Sequence, residues 1–126
     1  MNEKKPVWHC FFPFREGDDG KDRWGLEILR DDKHVLVAYG TTKRCDDRRR
    51  SKVVVSGGDA LSAAGLTATT SFEIDRLFLF PLGYEGLSLR GSLDAALCND
   101  ALRWLEENRE SVFAKTTVVA RIGVWK

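Results

Sequence analysis

The chain reads as an α+β fold that is mainly β. It is a small SH3-like curled antiparallel sheet or barrel with a C-terminal helix and a final strand. Three observations predict it. Short apolar or β-branched runs, separated by turn chemistry, crowd residues 5 to 82. An amphipathic stripe at three- and four-residue spacing occurs once, late in the chain. Thr116 to Trp125 then alternates at period two. Early strands at close spacing with one late helix suggest a curled sheet with the helix packed on one side.

The elements follow in order. Val7 to Phe14 is rich in aromatics and reads as a buried first strand, with Pro13 marking an edge or an exit. Glu16 to Asp22 is a polar, glycine-containing loop. Trp24 to Leu29 and Val35 to Tyr39 flank Arg30-Asp31-Asp32-Lys33, so the pair reads as a β-hairpin. Gly40 to Lys43 closes the second of these strands, and Arg44 to Arg50 is a charge run. Val53 to Val55 is a short β-branched strand. Asp59 is a candidate cap for a brief helical turn over Leu61 to Ala64, with Gly65 ending it.

Thr67 to Ser71 reads as a connector, and Phe72 to Phe80 as a strand with imperfect alternation. Phe72, Ile74 and Phe78 share one parity, while Leu77 and Leu79 share the other. After Pro81, the glycines at 83, 86 and 91 break the segment. Ser92 is a candidate N-cap for a helix carrying Leu93, Ala96, Leu97, Ala101, Trp104 and Leu105, ending near Asn108. Asp94 in its first turn and Arg109 near its end suit the helix dipole.

A length of 126 residues fits one domain, spanning 1–126, with a core at about 5–82 and an extension at 87–126. The composition, 43% hydrophobic and 31% charged, is globular rather than disordered. A net charge of +1 does not announce a nucleic-acid partner, so electrostatic arguments must be local. Cys10, Cys45 and Cys98 are odd in number and scattered, against both a disulfide framework and a zinc knuckle. A reducing, cytoplasmic setting is the expectation, with no signal peptide and no membrane span.

Two places can carry chemistry. If the hairpin pairs as read, Arg23 at the start of one strand stands near Thr41 and Thr42 at the end of the other. A guanidinium beside hydroxyls can bind a phosphate, and this suits RNA cleavage in which the 2′-hydroxyl attacks its own phosphate. The plainer alternative is a surface arginine beside strand-end threonines. Next comes a basic run. Lys43, Arg44, Arg48, Arg49, Arg50 and Lys52 are six cations against Asp46 and Asp47, a local net charge of +4. It reads either as a grip on a nucleic-acid backbone or as a solvated loop. His9 and His34 have no partner at ligand spacing, so neither a metal nor another cofactor is expected. His9 is a general acid or base only if it faces the same groove; its aromatic neighbours point to a packed, structural role.

Several segments, in this order, resemble the MazF/PemK-like toxins, a family of small SH3-like barrels. Val7-Trp8-His9-Cys10-Phe11-Phe12-Pro13-Phe14 is similar to the family's first strand, and Lys21 to Leu29 to its basic-then-apolar second. Val35 to Lys43 is similar to the third, which ends in Thr-Ser-Lys or a close relative. Ala64-Gly65-Leu66 and Ser71 to Leu77 resemble the later Gly-Leu and serine–strand segments. The resemblance spans roughly residues 5 to 82. It implies an endoribonuclease that cuts single-stranded RNA without metal, acts as a homodimer and is neutralised by an antitoxin. The family's catalytic arginine falls on Arg23 and its strand-end threonine on Thr41, with Thr42 at the serine position.

The sequence departs from the family at Trp24, where proline is usual, and in the long segment after Leu87. A bulky ring at 24 would fill the groove beside Arg23. That motivates a second reading, a catalytically inactive barrel that inhibits by binding a protein. A third is a nucleic-acid-binding module that does not cut.

Overall fold

The computed structural model describes residues 3–13, 20–46 and 49–119. Seven strands form one sheet: β1 Lys4–Pro13, β2 Gly20–Arg30, β3 His34–Thr41, β4 Lys52–Val55, β5 Thr70–Pro81, β6 Leu87–Asp94 and β7 Thr117–Val118. Their order is β4-β5-β3-β2-β1-β6, all neighbours antiparallel, and β7 lies parallel to β5. The sheet curls into a half-barrel. Three helices, α1 Gly58–Ala64, α2 Asn99–Glu107 and α3 Arg109–Ala114, complete a mainly β, α+β fold. No helix among the described residues is long and apolar enough to cross a membrane.

Apolar side chains fill both faces of the sheet. On one face Val7, Leu26, Leu36, Ala38, Phe72 and Ile74 meet the helices through Ala64, Ala101, Leu105 and Val112. On the other, Cys10, Phe12, Val35, Val37, Tyr39, Phe78 and Phe80 pack with Tyr84 and Val119. The central strand β3 is therefore buried at every position from Val35 to Gly40, which is why it reads as a continuous apolar run. The hairpin turn before it is held by Asp31, whose carboxylate accepts from the Lys33 and His34 N–H groups at 2.8 and 2.7 Å. Those two bonds hold the Asp31 carboxyl below its ordinary range. Across the second core, the Tyr84 hydroxyl donates to the Phe11 carbonyl at 2.9 Å, and burial raises its pKa to about 12.

Close packing explains one strand glycine. A methyl group at Gly25 would overlap the Val37 side chain and press on Cys10 and Phe12. Gly25→Ala is therefore expected to lower stability by about 1–3 kcal/mol through overpacking, read from the urea midpoint.

The structure corrects several expectations. The stretch at 20–23 belongs to β2, so Arg23 sits inside a strand, opposite Cys10 of β1, rather than at its junction with a loop. Residues 87–94 form β6 on the free side of β1, where glycines suggested a broken segment. Gly91 is needed there because α1 crosses so closely that a Cβ would strike the Ala63 carbonyl and the Ala64 backbone. Ser92 is thus in a strand. The cap is Asp94, which accepts from the Ala96 N–H at 3.1 Å and opens the 3-10 turn Ala95–Cys98 ahead of α2. Gly57, not Asp59, takes the N-cap position of α1, with no side-chain cap bond, while Gly65 ends the helix in a left-handed conformation. The helical stretch resumes past Asn108 as α3. Of the final strand, Thr117–Val118 pairs with β5, and residues 120–126 lie outside the described residues.

The parity break in β5 has a structural cause. Ala38 pairs with Leu77 but Tyr39 pairs with Glu73, so three residues, 74–76, bulge from the ladder. An odd insertion exchanges the faces. Phe72 and Ile74 belong to the helix-side core, yet Phe78 and Phe80, of the same sequence parity, belong to the opposite one.

Candidate nucleic-acid interface

At the end of the sheet away from the hairpin turn, β2 and β3 run side by side. Gly25 pairs with Tyr39, and two residues further along each strand come Arg23 and Thr41. Both line a cleft of about 250 Å³, together with Tyr39, Thr42, Lys43, Arg44, Glu73 and Arg76. Arg23 is steadied by an Nη1 bond to the Asp22 carbonyl at 2.8 Å. The Thr41 hydroxyl accepts from the Lys43 N–H at 3.1 Å, which starts the turn that carries Lys43 and Arg44 over the site. Arg44 sits at φ 58, the only non-glycine residue with positive φ among the described residues. That left-handed conformation costs about 1–2 kcal/mol.

The β5 bulge supplies what sequence reasoning missed. It swings Arg76 over the Tyr39 ring, 4.2 Å from the ring centroid, and within 3.8 Å of Glu73 Oε1. Glu73 is the cross-strand partner of Tyr39 and of Lys52. A second depression of about 270 Å³ adjoins the first, sharing Arg44, Glu73 and Arg76 and adding Arg49, Lys52 and Asp75. Together the two hold six cations against two carboxylates, a local net charge of +4. The broken alternation of Phe72 to Phe80 was the signal that could have found Arg76.

Not every predicted cation joins this group. Arg50 turns toward α2 and pairs with Glu107 Oε1 at 3.2 Å, an exposed contact that contributes about 0–1 kcal/mol. Arg48 lies outside the described residues. His9 packs edge-on against Trp24, with ring centroids 5.5 Å apart, on the helix-side face and away from the cleft. His34 stands at the hairpin turn beside Asp31.

Trp24 does not fill the groove. It follows Arg23 in the strand and so points to the opposite face, where it packs on the helix-side core and its indole N–H donates to the Gly65 carbonyl at 3.2 Å. The cleft beside Arg23 is lined without it.

Two further features lie close by. Ser71 is paired with Thr41 across β3 and β5, is fully buried, and its hydroxyl is without a hydrogen-bond partner. Cys45, in the turn above, donates its thiol to the Thr69 and Thr41 carbonyls at 3.5 and 3.7 Å. The other two thiols are buried in the cores, and burial raises both pKa values, that of Cys98 to about 11. A thiol reagent at neutral pH should therefore label Cys45 alone in the native protein, and Cys10 and Cys98 only with unfolding. Mass spectrometry of the labelled peptides checks this.

A larger groove, about 520 Å³, lies elsewhere, between the hairpin end of the sheet and α3, lined by Leu29, Leu36, Leu79, Phe113 and Val118. Its charged neighbours are engaged, Arg30 with Glu27 and Asp31 within its turn, so the concentration of positive charge and hydroxyls stays with the Arg23 cleft. Compared with protein-family models and with curated proteins, the chain matches none.

Proposed function

We propose that the chain is a toxin-like, metal-independent endoribonuclease that cuts single-stranded RNA, as its resemblance to the MazF/PemK-like family implies. One observation carries the reading. Arg23, Thr41 and Thr42, distant in sequence, line a single cleft with Lys43, Arg44 and Arg76. In this mechanism the 2′-hydroxyl attacks the adjacent phosphorus, the P–O5′ bond breaks to leave a 2′,3′-cyclic phosphate, and the departing 5′-oxygen takes a proton from water. Arg23 and Arg76 offset the charge that grows on the phosphoryl oxygens. Thr41 orients the phosphate by hydrogen bonding, and Glu73, the carboxylate of the cleft, takes the 2′-hydroxyl proton. Arg44, Arg49 and Lys52 hold the flanking backbone. An antitoxin and a homodimer belong to the same proposal.

The test is incubation of purified protein with single-stranded RNAs of diverse sequence in chelator. Cleavage leaving cyclic phosphate ends is expected, and a protein inert on all of them would sink the enzyme. Binding that weakens steeply with salt, without cutting, would point instead to a nucleic-acid-binding module.

A second reading, an inactive barrel that binds a protein, no longer draws on Trp24. It draws on the apolar groove by α3, flanked by Leu29 and Val118 at 58% and 72% exposure. Recovery of a stoichiometric protein partner, lost when Leu29 and Val118 are made polar, would favour it.

A further inference from the structure

Arg76 lines three neighbouring depressions: the Arg23 cleft, the depression of Arg49 and Lys52, and a third of about 360 Å³. Arg44 and Glu73 line only the first two, and Asp75 only the last two, so Arg76 alone is common to all three. Asp75 and Arg76 both belong to the β5 bulge. The third depression differs from the others in chemistry. Apart from Tyr39, the first two are lined by charged and hydroxyl side chains. The third sets Pro13, Leu77 and Phe78 beside the polar residues Asp75, Arg76, Lys115 and Thr117. Its volume falls within the ~300–1,000 Å³ of small-ligand clefts.

Two of these residues come from late in the chain. Lys115 is the C-cap of α3, and β7 sets Thr117 beside Phe78 in the parallel ladder. Neither lies in the stretch at 5–82 that resembles the toxin family. A nucleotide has the same division of chemistry as these adjoining depressions. Its phosphate asks for cations, and its base for an apolar surface with donors and acceptors at the edge. Single-stranded RNA can splay a base away from its neighbours. A phosphate held between Arg23 and Arg76 therefore has an attached nucleotide whose base can turn past Arg76 into the apolar depression.

We propose that the depression of Pro13, Phe78 and Lys115 is a nucleobase subsite, which takes one base next to the scissile phosphate of a single-stranded RNA. The base lies against Pro13, Leu77 and Phe78. The Asp75 carboxylate accepts from its N–H groups, and Lys115 and Thr117 donate to its carbonyl or ring-nitrogen acceptors. The segment after β6 thereby takes part in choosing the sequence that is cut. This rests on the reading of the Arg23 cleft as a phosphate site, and the test separates the two.

An RNA that the wild type cuts in chelator is remade with an abasic residue on the 5′ side of the cut phosphate and, separately, on the 3′ side. Removing the base that enters the subsite should slow cutting about tenfold, the size of a lost base contact. Lys115→Ala should slow cutting of the intact RNA about fivefold, the size of a lost hydrogen bond. On the RNA lacking that base its effect should shrink to less than about twofold, because the two changes remove the same contact. Lys115 is exposed, so the thermal midpoint of the variant should hold. A general attraction to the backbone would act on both RNAs alike. Abasic RNAs cut as fast as the parent overturn the subsite, as does Lys115→Ala with the same effect, or none, on intact and abasic RNAs. If Arg23→Ala still loses cutting in that case, the cleft reading stands. A wild type that cuts no RNA, or an Arg23→Ala variant that cuts equally well, overturns the cleft reading and this inference with it.

Discussion

Arg23→Ala should reduce RNA cleavage by about 10²–10³-fold, the cost of removing one preorganised donor to a developing oxyanion, while leaving the thermal midpoint within about 2 °C of the wild type, as a surface substitution of about 0.5 kcal/mol or less does. The two halves of the expectation have separate grounds. Arg23 sits within β2, so its backbone is fixed by the pairing with β1, and its guanidinium is part-exposed and bonded to the adjacent Asp22 carbonyl. Little packing is lost with it. The charge it brings to the cleft, in contrast, adds to that of Lys43, Arg44 and Arg76 where a phosphate would lie. Arg23→Lys should fall between the two, because an ammonium keeps the charge but not the forked geometry. Initial rates on a fluorogenic RNA, in chelator, measure all three. Arg23→Ala cutting at the wild-type rate would remove Arg23 from the mechanism.

The largest effect on stability is expected at Phe12, whose ring packs directly against Tyr39 of the cleft lining. Its ring is fully buried and meets Tyr39, Phe78 and Phe80 edge-on, at centroid distances of 4.9, 4.8 and 5.5 Å. Phe12→Ala removes the ring from the middle of that group. Phe12 is held in register by the β1–β2 ladder, which keeps the backbone from closing into the void. A loss of about 3–5 kcal/mol follows, a large share of the 5–15 kcal/mol typical of a folded domain. Urea unfolding followed by far-UV circular dichroism reads it. Leu89→Ala, at a side chain 62% exposed, is the control and should shift stability by about 0.5 kcal/mol or less.

Much of the sheet was legible because its signals are local. Turn chemistry at Arg30 to Lys33 defines the hairpin, and the hairpin carries Arg23 and Thr41 to the same end of the sheet. What escaped depends on distant partners. Gly91 looks like a break until α1 is laid across it, and Ser92 looks like a cap until its strand is paired with β1. Trp24 looks obstructive at the position of a smaller residue, and only the pleat shows that its ring lies behind the sheet. Of the basic run, Arg44, Arg49 and Lys52 gather near the cleft while Arg50 turns to α2, a division that charge alone does not encode. Arg76 was hidden in a strand whose faulty alternation was visible but had no assigned meaning.

That faulty alternation has a consequence for how the molecule can come apart. β5 begins as part of the wall facing the helices and, after three residues without a partner on β3, its large aromatic side chains serve the opposite compartment. Neither apolar compartment can be dismantled without disturbing the same strand. The kink where it changes allegiance is also where Arg76 leans into the cleft. Both compartments and the cleft cation therefore share one strand, and the bulge is the point where the three meet.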